Sequence, residues 1–403
     1  MVDVASTQAV APLQGVRVLA VEQMIAAPWA TQVLARLGAD VIKVEQPGRG
    51  DSGRGSVPTV VGADDRPVGA TFLRNNLNKR SIAIDLDRGS ELVLSLAEHC
   101  DVFVQNYKAG ALDQFGLGYE AVAARNPGIV YVSVTGFGTT TPSPYRSWPA
   151  YASVAEAMSG IYEWTRQPGQ RPVVNPVGAL GDIGTGMFAC LGILAALRQR
   201  DHTGLGQHID VAMYDCMVAL TDVVSSLWSL GVRDRIPGAI LTTFEAADGA
   251  FVAQVSREHQ FVRLAESVGH PEWCDDARFA TRQGWIDHLD DVIRPAVEAW
   301  ARGRGKLAAA ELLAEAGIPA GPCFTPPEVL ADPHLADRHM LVTFEHEGGE
   351  YVVPGLPLQF SDGPIADDVR SPTLGEHTAE VLGEILALSP EEIDHLRGDG
   401  LIA

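Results

Sequence analysis

The feature that most constrains the fold is a regular alternation of strand-like and helix-like segments over the first 140 residues. Runs rich in Val and Ile, typical of buried strands, recur at residues 16–21, 40–45, 81–86, 101–106 and 129–137. Helical segments separate most of them. Parallel strands need a crossover connection of this kind, whereas antiparallel strands can be joined by a tight turn. The pattern therefore predicts βαβ units and an open, mostly parallel, Rossmann-like α/β sheet.

The pattern changes in the C-terminal 160 residues. A hairpin with an Asp-Gly turn begins at residue 243 and is followed by helices rich in Ala, Glu and Arg. After residue 325 come a second hairpin and a closing helical stretch. We therefore predict a large α/β domain whose sheet is built from both chain ends, residues 1–215 and 326–403, a linker at 216–242, and a smaller α+β domain at 243–325.

The charge balance disfavours polyanionic partners. The chain has 30 Lys and Arg against 51 Asp and Glu, a net charge of −21 that would repel nucleic acid and anionic membranes. Residues 324–403 carry a net charge of −13, whereas residues 1–110 carry only −1. An anionic small ligand would therefore bind to the N-terminal part.

The five cysteines indicate neither a disulfide framework nor a metal site. They are odd in number, far apart and form no C-x-x-C pair, so no disulfide pairing and no zinc ribbon is predicted. The N-terminus lacks the pattern of a signal peptide, and the longest apolar run, residues 187–197, is about half a membrane span. We expect a cytoplasmic protein with no bound metal.

Two glycine patterns match the spelling of a dinucleotide-binding turn without its context. Gly48 to Gly53 reads G-x-G-x-x-G, but no helix-forming run follows to meet a pyrophosphate. Gly184 to Ala189 opens a helix, but no strand precedes it, and close helix packing explains its glycines. No Walker motif, G-x-S-x-G elbow or H-E-x-x-H motif occurs. A nicotinamide-dependent dehydrogenase is therefore the least supported enzyme class.

Asp182 stands out because glycines surround it, at residues 178, 181, 184 and 186. A large ligand could approach a carboxylate that has so little neighbouring bulk. The residue also precedes the longest helical run, residues 183–200, where free backbone amides and the helix dipole stabilise negative charge. From the residues alone, a structural N-cap and a nucleophile both remain open.

Five segments together resemble one enzyme family. They are residues 13–51, 76–86, 106–138, 178–215 and 374–386, among them GALGDIGTGMFACLGILAALRQRDHTGLGQHIDVAMYD around Asp182. In this order they resemble the class III CoA-transferases, the family of formyl-CoA and carnitine CoA-transferases, and the resemblance runs nearly end to end. It implies a transfer of CoA from an acyl-CoA donor to a carboxylic acid, with a CoA thioester as substrate and no tightly bound cofactor. It also implies an interlocked homodimer.

The resemblance implies a catalytic role for Asp182 as the nucleophile, through an acyl-aspartyl anhydride and an aspartyl-CoA thioester. It also implies that CoA binds to the N-terminal α/β layer. Two basic positions common in relatives are altered here, to Gln46 and Gln114, so Arg49, Arg74 or Lys108 would have to replace them as phosphate anchors. The implied CoA-binding residues are Met24, Ile25, Ala26, Gln46, Lys79, Arg80, Asn106, Tyr107, Lys108 and Gly181.

A third departure from the family pattern concerns the mechanism. Relatives have a Tyr-Asp or Tyr-Glu pair, or His-Asp in α-methylacyl-CoA racemases, where this chain has Tyr151-Ala152. Without that His a racemase lacks one of its two proton-transfer groups, so transfer is favoured. Glu156 lies one helical turn later and could replace the missing carboxylate, or could be an ordinary exposed Glu. A racemase and a catalytically silent CoA-binding homologue remain as alternatives.

Overall fold

The structure is a computed structural model that describes residues 10–61, 64–175, 178–233, 238–346, 349–361 and 365–403. The signal-peptide prediction concerns residues 1–11, of which residues 1–9 lie outside this set. The chain forms two compact units: unit 1 comprises residues 1–224 and 338–403, and unit 2 comprises residues 225–337. The boundary predicted after residue 325 therefore lies inside unit 2.

The strands contain the β-branched runs of the sequence and four runs that we did not predict, of which three have only three residues and the fourth is Gln207–Ala212. The strand Gln207–Ala212 is only half-buried over most of its length and mixes polar with apolar residues, so its pattern is weak. In chain order, the strands are Arg17–Val21 (β1), Asp40–Glu45 (β2), Thr59–Val61 (β3), Pro67–Gly69 (β4), Lys79–Ala83 (β5), Val102–Gln105 (β6), Val130–Thr135 (β7), Gln207–Ala212 (β8), Ile240–Ala246 (β9), Gly249–Val255 (β10), Ala320–Pro322 (β11), Leu341–His346 (β12) and Gly349–Pro354 (β13).

The helices are short except for one of 24 residues, α7. In chain order, they are Ala26–Arg36 (α1), Ala70–Asn75 (α2), Leu86–Ala97 (α3), Tyr119–Arg125 (α4), Ala152–Met158 (α5), Ile161–Trp164 (α6), Leu180–Thr203 (α7), Met213–Leu220 (α8), Glu258–Ser267 (α9), Arg282–Asp287 (α10), Arg294–Ala301 (α11), Lys306–Glu315 (α12), Pro326–Leu330 (α13), Pro333–Asp337 (α14), Thr378–Leu386 (α15) and Pro390–Gly398 (α16).

A six-stranded, fully parallel sheet forms the centre of unit 1, in the order β5-β2-β1-β6-β7-β8. Successive side chains of a strand point to opposite faces, and β1 shows this clearly. Val18 and Ala20 pack with α1, α7 and α8 on one face, whereas Leu19 and Val21 pack with α3, α15 and α16 on the other. The predicted α/β layer is therefore confirmed, with helices on both faces.

In its described residues, the C-terminal segment contributes helices to this layer and no strand of the central sheet. All six strands lie between residues 17 and 212, and β12 pairs only with β13. A single antiparallel bridge between Ile84 and Ile402 joins the last residues to the layer. The prediction of a sheet built from both chain ends is therefore wrong for the strands, because the C-terminal residues cover one face through α15 and α16.

The strand order places a switch point between β1 and β6. From β1 the chain first adds β2 and β5 on one side and then adds β6, β7 and β8 on the other. In open parallel sheets, the loops at such a point diverge and leave a crevice at the carboxyl ends of the strands. The loop after β1 and the loop after β6 meet there.

Unit 2 is a smaller α+β structure with its own core. Strands β9, β10 and β11 form an antiparallel sheet, with Phe244 facing Phe251 across the β9–β10 pair. The helices α9 to α12 cover this sheet with an aromatic cluster that includes Phe261, Trp273 and Trp285. These buried aromatic side chains are thus used in packing.

Candidate active site

A cavity of about 450 Å³ lies at the carboxyl ends of β1, β6 and β7 in unit 1. Its walls are the loops after these strands, the segment before α5 and the first turn of α7. The fold brings together eight of the residues proposed from the sequence, which are Met24, Ile25, Ala26, Asn106, Tyr107, Lys108, Tyr151 and Asp182.

Asp182 reaches this cavity from the first turn of α7. The helix begins at Leu180 and its N-cap is Ala179, so Asp182 is the third helical residue. The interpretation of Asp182 as a structural N-cap is therefore wrong. Its side chain is half-buried and faces the cavity, where the first-turn amides of α7 supply a positive potential.

The glycines around Asp182 serve helix packing. A Cβ atom on Gly181 would lie 3.0 Å from the Cα atom of Ala152 in α5, and one on Gly186 would lie 2.8 Å from the carbonyl oxygen of Ala26 in α1. A Cβ atom on Gly184 would overlap Leu220 of α8. Packing thus explains these three glycines better than the predicted access for a ligand does.

Glu156 is buried beside α7 and does not line the cavity. It lies in α5 and is 2% exposed, so it is not an ordinary exposed glutamate. Its Oε1 atom accepts a hydrogen bond of 3.0 Å from the backbone N–H of Gly181, and its Oε2 atom accepts one from the hydroxyl of Tyr162. Glu156 therefore fixes the residue that directly precedes Asp182.

Burial raises the pKa of Asp182 to about 6, and the negative charge of Glu156 adds to the effect. Among the residues that the structure describes, no Lys or Arg forms an ion pair with either carboxylate. Asp182 is therefore mostly ionised at neutral pH, but its charge is poorly stabilised. A carboxylate in this state is a better nucleophile than a fully solvated one.

The loop after β1 is held through its backbone. The side chain of Asn106 accepts a hydrogen bond from the Gln23 N–H at 2.9 Å and donates one to the Gln23 carbonyl at 2.8 Å. Met24 has a left-handed backbone with φ of +67°, and its N–H donates to Asp51 at 2.9 Å. The loop leads into α1, so the free amides of that helix start also open on the cavity.

Four charged side chains lie beneath this loop with no exposed surface. Lys43 pairs with Asp51 at 2.8 Å and with Glu22 at 3.5 Å, and Lys79 pairs with Glu22 at 2.7 Å. We call Glu22, Lys43, Asp51 and Lys79 the charge cluster. The sequence analysis identified only Lys79 of these, and as a phosphate ligand.

The ammonium group of Lys79 has no hydrogen left to donate to a phosphate. Besides Glu22, its ammonium group donates to the Pro28 carbonyl at 2.8 Å and to the Asn76 side chain at 2.9 Å. An ammonium group has three hydrogens, and these partners use all of them. Burial lowers the pKa of Lys79 to about 8 against the opposing effect of Glu22. The structure therefore contradicts a direct contact of Lys79 with CoA.

Arg80 and Gln46 also lie away from the cavity. The guanidinium group of Arg80 binds Asp40 at 2.6 Å and Glu384 at 2.7 Å, so this predicted phosphate ligand is neutralised by acidic side chains of its own layer. Gln46 is exposed after β2 and does not line the cavity. Of the three candidates to replace the altered basic positions, only Lys108 lines it.

Two cations line the cavity without an ion pair in the described part of the chain. They are Lys108, in the loop after β6, and Arg146, in the loop that leads from β7 to α5. Sequence reasoning missed Arg146, because a single Arg in a Pro-rich loop carries no pattern. The cavity therefore combines one poorly stabilised carboxylate with two unpaired cations.

The chain matches known proteins over nearly its whole length. The family model described as CoA-transferase family III matches residues 13–378. The formyl-CoA:oxalate CoA-transferase of Bradyrhizobium sp. (strain ORS 278) is 34% identical and aligns over 97% of both chains. The succinate–glutarate CoA-transferase of Agrobacterium fabrum is 36% identical over 93% of this chain and 96% of its own length.

Solved structures give the same result. A CaiB/BaiF family protein from Brucella suis superimposes with a TM-score of 0.81 at 35% identity, over 93% of this chain and 99% of its own. Rv3272 from Mycobacterium tuberculosis superimposes with a TM-score of 0.79 at 29% identity, over 92% of this chain and 99% of its own. A six-stranded parallel layer, a cavity with an acidic side chain at a helix start and these matches lead to one conclusion: the chain belongs to CoA-transferase family III and is a CoA-transferase.

Proposed function

We propose that this enzyme moves CoA from an acyl-CoA thioester to a small carboxylic acid through covalent intermediates on Asp182. The observation that carries the proposal is the position of Asp182. Its carboxylate lies in a cavity of about 450 Å³, at the start of one helix and beside the start of another. The cavity thus offers a nucleophile together with backbone donors for a developing negative charge.

The reaction divides into two half-reactions that are joined by an aspartyl-CoA thioester. The carboxylate attacks the thioester carbonyl, the C–S bond breaks, and CoA leaves as a thiolate with a mixed anhydride on the enzyme. The thiolate then attacks the Asp182 carbonyl and releases the donor acid as a carboxylate. The acceptor carboxylate attacks the Asp182 carbonyl of aspartyl-CoA, the C–S bond breaks, and CoA leaves again as a thiolate. This thiolate attacks the acceptor's acyl carbon in the new anhydride, and the C–O bond to Asp182 breaks. This forms the product thioester and restores Asp182.

The protein contributes position and charge to these steps. The free amides at the starts of α1 and α7 stabilise the oxyanions that form at each attack. We assign Glu156 a positioning role, because it holds the Gly181 N–H and thereby the first turn of α7. Tyr151 precedes α5, is 68% exposed and lines the cavity, so we assign its hydroxyl to a hydrogen bond with the substrate.

The two cations of the cavity suggest how the anionic parts of the substrates bind. Lys108 follows β6 at the switch point, and we assign it to the phosphates of CoA. Two of the relatives described above are named for oxalate and for glutarate, which are both dicarboxylic acids. We propose a dicarboxylic acceptor here too, with Arg146 as the partner of its second carboxylate.

A homodimer is part of the proposal. Helix α7 is long and apolar enough to cross a membrane, yet half of its most apolar stretch is buried in the fold. Its outer face exposes Met187, Leu191 and Leu194, with Leu191 61% exposed. Such a face on a core helix fits a subunit interface, and we infer an interlocked dimer in the cytoplasm.

Mass spectrometry after mixing the enzyme with a panel of acyl-CoA thioesters tests this function. We expect a CoA-sized adduct on Asp182 that hydroxylamine removes. A protein that binds CoA without any adduct would instead be a silent homologue. Uptake of deuterium at the acyl α-carbon without CoA exchange would identify a racemase.

A further inference from the structure

The charge cluster beneath the loop after β1 has no part in the chemical steps proposed above. Its four side chains are Glu22, Lys43, Asp51 and Lys79, each with no exposed side-chain surface. The two lysines balance the two carboxylates. Removing four charged groups from water is unfavourable, and apolar side chains of the same volume often stabilise a fold as well or better. The cluster therefore calls for an explanation other than stability alone.

The hydrogen bonds of the cluster end on the backbone of one short segment. Lys43 donates to the Glu22 carbonyl at 3.1 Å, and Asp51 accepts from the Met24 N–H at 2.9 Å. Lys79 donates to the Pro28 carbonyl at 2.8 Å. These three bonds hold the segment before, within and after the turn that starts α1.

The turn itself needs to be held. Met24 has φ of +67°, a left-handed conformation that is costly for a residue with a side chain. Its N–H donates to Asp51 Oδ1 at 2.9 Å, and the Gly53 N–H donates to the same oxygen at 2.7 Å. Without an acceptor at Asp51, the turn would lose the contact that offsets its strain.

The position of this turn matters for Asp182. Ile25 and Ala26 line the cavity, and the Ala26 carbonyl lies against Gly186, one helical turn after Asp182. The start of α1 is therefore packed against α7 beside the nucleophile. A small shift of oxyanion donors relative to a nucleophile is enough to slow a reaction severely.

We propose that the charge cluster is a positioning device that fixes the first turn of α1 beside Asp182, with Asp51 as its central positioning residue. The inference rests on the function proposed above. It assigns to these residues an effect on the rate of covalent chemistry and no direct contact with CoA.

A matched pair of charge-neutral double variants tests the device. Lys43→Met with Asp51→Asn removes the ion pair but keeps an oxygen that accepts from Met24, whereas Lys43→Met with Asp51→Leu removes the acceptor too. For the folded fraction, we expect the Asn variant to form the Asp182 adduct within about fivefold of the wild-type rate. We expect the Leu variant to be at least about 30-fold slower, with a dissociation constant for CoA within about threefold of wild type.

The outcomes separate the two proposals. Equal adduct rates for the two double variants, or equal losses of rate and of CoA affinity, would overturn the positioning role. A wild-type enzyme without adduct from any acyl-CoA would overturn the proposed function and with it this inference. Should the Leu variant not fold, adding Met24→Gly or Met24→Ala to it gives a second comparison, because only glycine removes the left-handed strain that the Asp51 acceptor offsets. We then expect the Gly-containing variant to regain folding and adduct formation and the Ala-containing variant not to, and equal behaviour of the two would contradict the proposal.

Discussion

Two helices begin at the same cavity, and they are held in opposite electrostatic ways. The start of α1 rests on the charge cluster, in which two lysines face two carboxylates. The start of α7 is held by Glu156 and Tyr162, and it carries a second acid, Asp182. The described residues supply no ion-pairing cation to either of these two acids.

The two helix starts differ in how their charges are balanced. At α1, the charges that hold the backbone are buried and paired with opposite charges. At α7, Glu156 holds the backbone without an ion-pairing cation among the described residues, and burial together with the charge of Glu156 raises the pKa of Asp182 to about 6. We call the side of the cavity at α1, which the balanced charge cluster holds, the fixed wall. We call the side at α7, which carries Asp182, the reactive wall.

The largest effect is expected at the reactive wall. Replacing Asp182 with Ala should lower turnover by roughly 10⁴-fold or more, because the covalent route then lacks its nucleophile. Steady-state assays with the donor found by mass spectrometry measure this loss. Circular dichroism should show an unchanged fold, and turnover near the wild-type level would refute the assignment of Asp182.

A neutral residue at position 182 should lower activity but raise the stability of the folded protein. Asp182 has a raised pKa of about 6, so the folded protein keeps a proton between about pH 4 and 6 that the unfolded chain has lost. The stability that this proton provides is present at pH 4 and is lost as the pH rises through 6. Asp182→Asn, which stays neutral, should therefore be more stable than wild type at pH 8 by roughly 1–3 kcal/mol.

Urea titrations at pH 8 and pH 4 check this expectation. The difference between Asp182→Asn and wild type should nearly vanish at pH 4, where the wild-type carboxyl group is protonated as well. An equal difference at both values would mean that shape and hydrogen bonding, and not charge, explain the effect.

Arg146 tests whether the reactive charge is truly uncompensated. If Arg146 binds the substrate and not Asp182, then Arg146→Met should raise the KM of a dicarboxylic acceptor by roughly 10- to 30-fold. The acid limb of adduct formation should stay near pH 6. Monocarboxylic acceptors and the thioester donor serve as controls, and a uniform rise of all KM values would point to CoA phosphates instead.

The smallest effect concerns the negative charge behind Asp182. Glu156→Gln removes the charge that helps to raise the pKa of Asp182 but keeps an oxygen for the Gly181 N–H. We expect the acid limb of adduct formation to move below pH 6 and the maximal rate to change by about fivefold or less. Tyr162→Phe, which keeps the charge, should leave the limb in place or raise it. If the acid limb of adduct formation does not move in Glu156→Gln, the charge of Glu156 does not contribute to the raised pKa of Asp182.

Local patterns allowed us to predict much of the fold. The Val- and Ile-rich segments became β1, β2 and β7 because buried parallel strands require such residues over a short span. The edge strand β8 was missed, since its polar residues hide the pattern. The start of α7 was placed too late, because Ala179 at the N-cap carries no capping side chain.

The site was predictable where a residue's role depends on its neighbours in the chain. Asp182 was found because glycines surround it, and the loops after β1 and β6 were found because their segments resemble those of the family. The role of Lys79 was not predictable, because its partner Glu22 lies 57 residues away and only the sheet brings the two residues together. The burial of Glu156 likewise depends on Tyr162 and on α7, which the local sequence does not reveal.

The uncompensated charge of Asp182 has a consequence for the catalytic cycle itself. In the proposed mechanism, attachment of an acyl group or of CoA would turn the carboxylate into a neutral anhydride or thioester, so the loaded enzyme would no longer bear the cost of a buried anion. The fold would then favour the loaded enzyme over the resting one. Asp182 would give up the attached group when the CoA thiolate or an incoming acid takes over the bond.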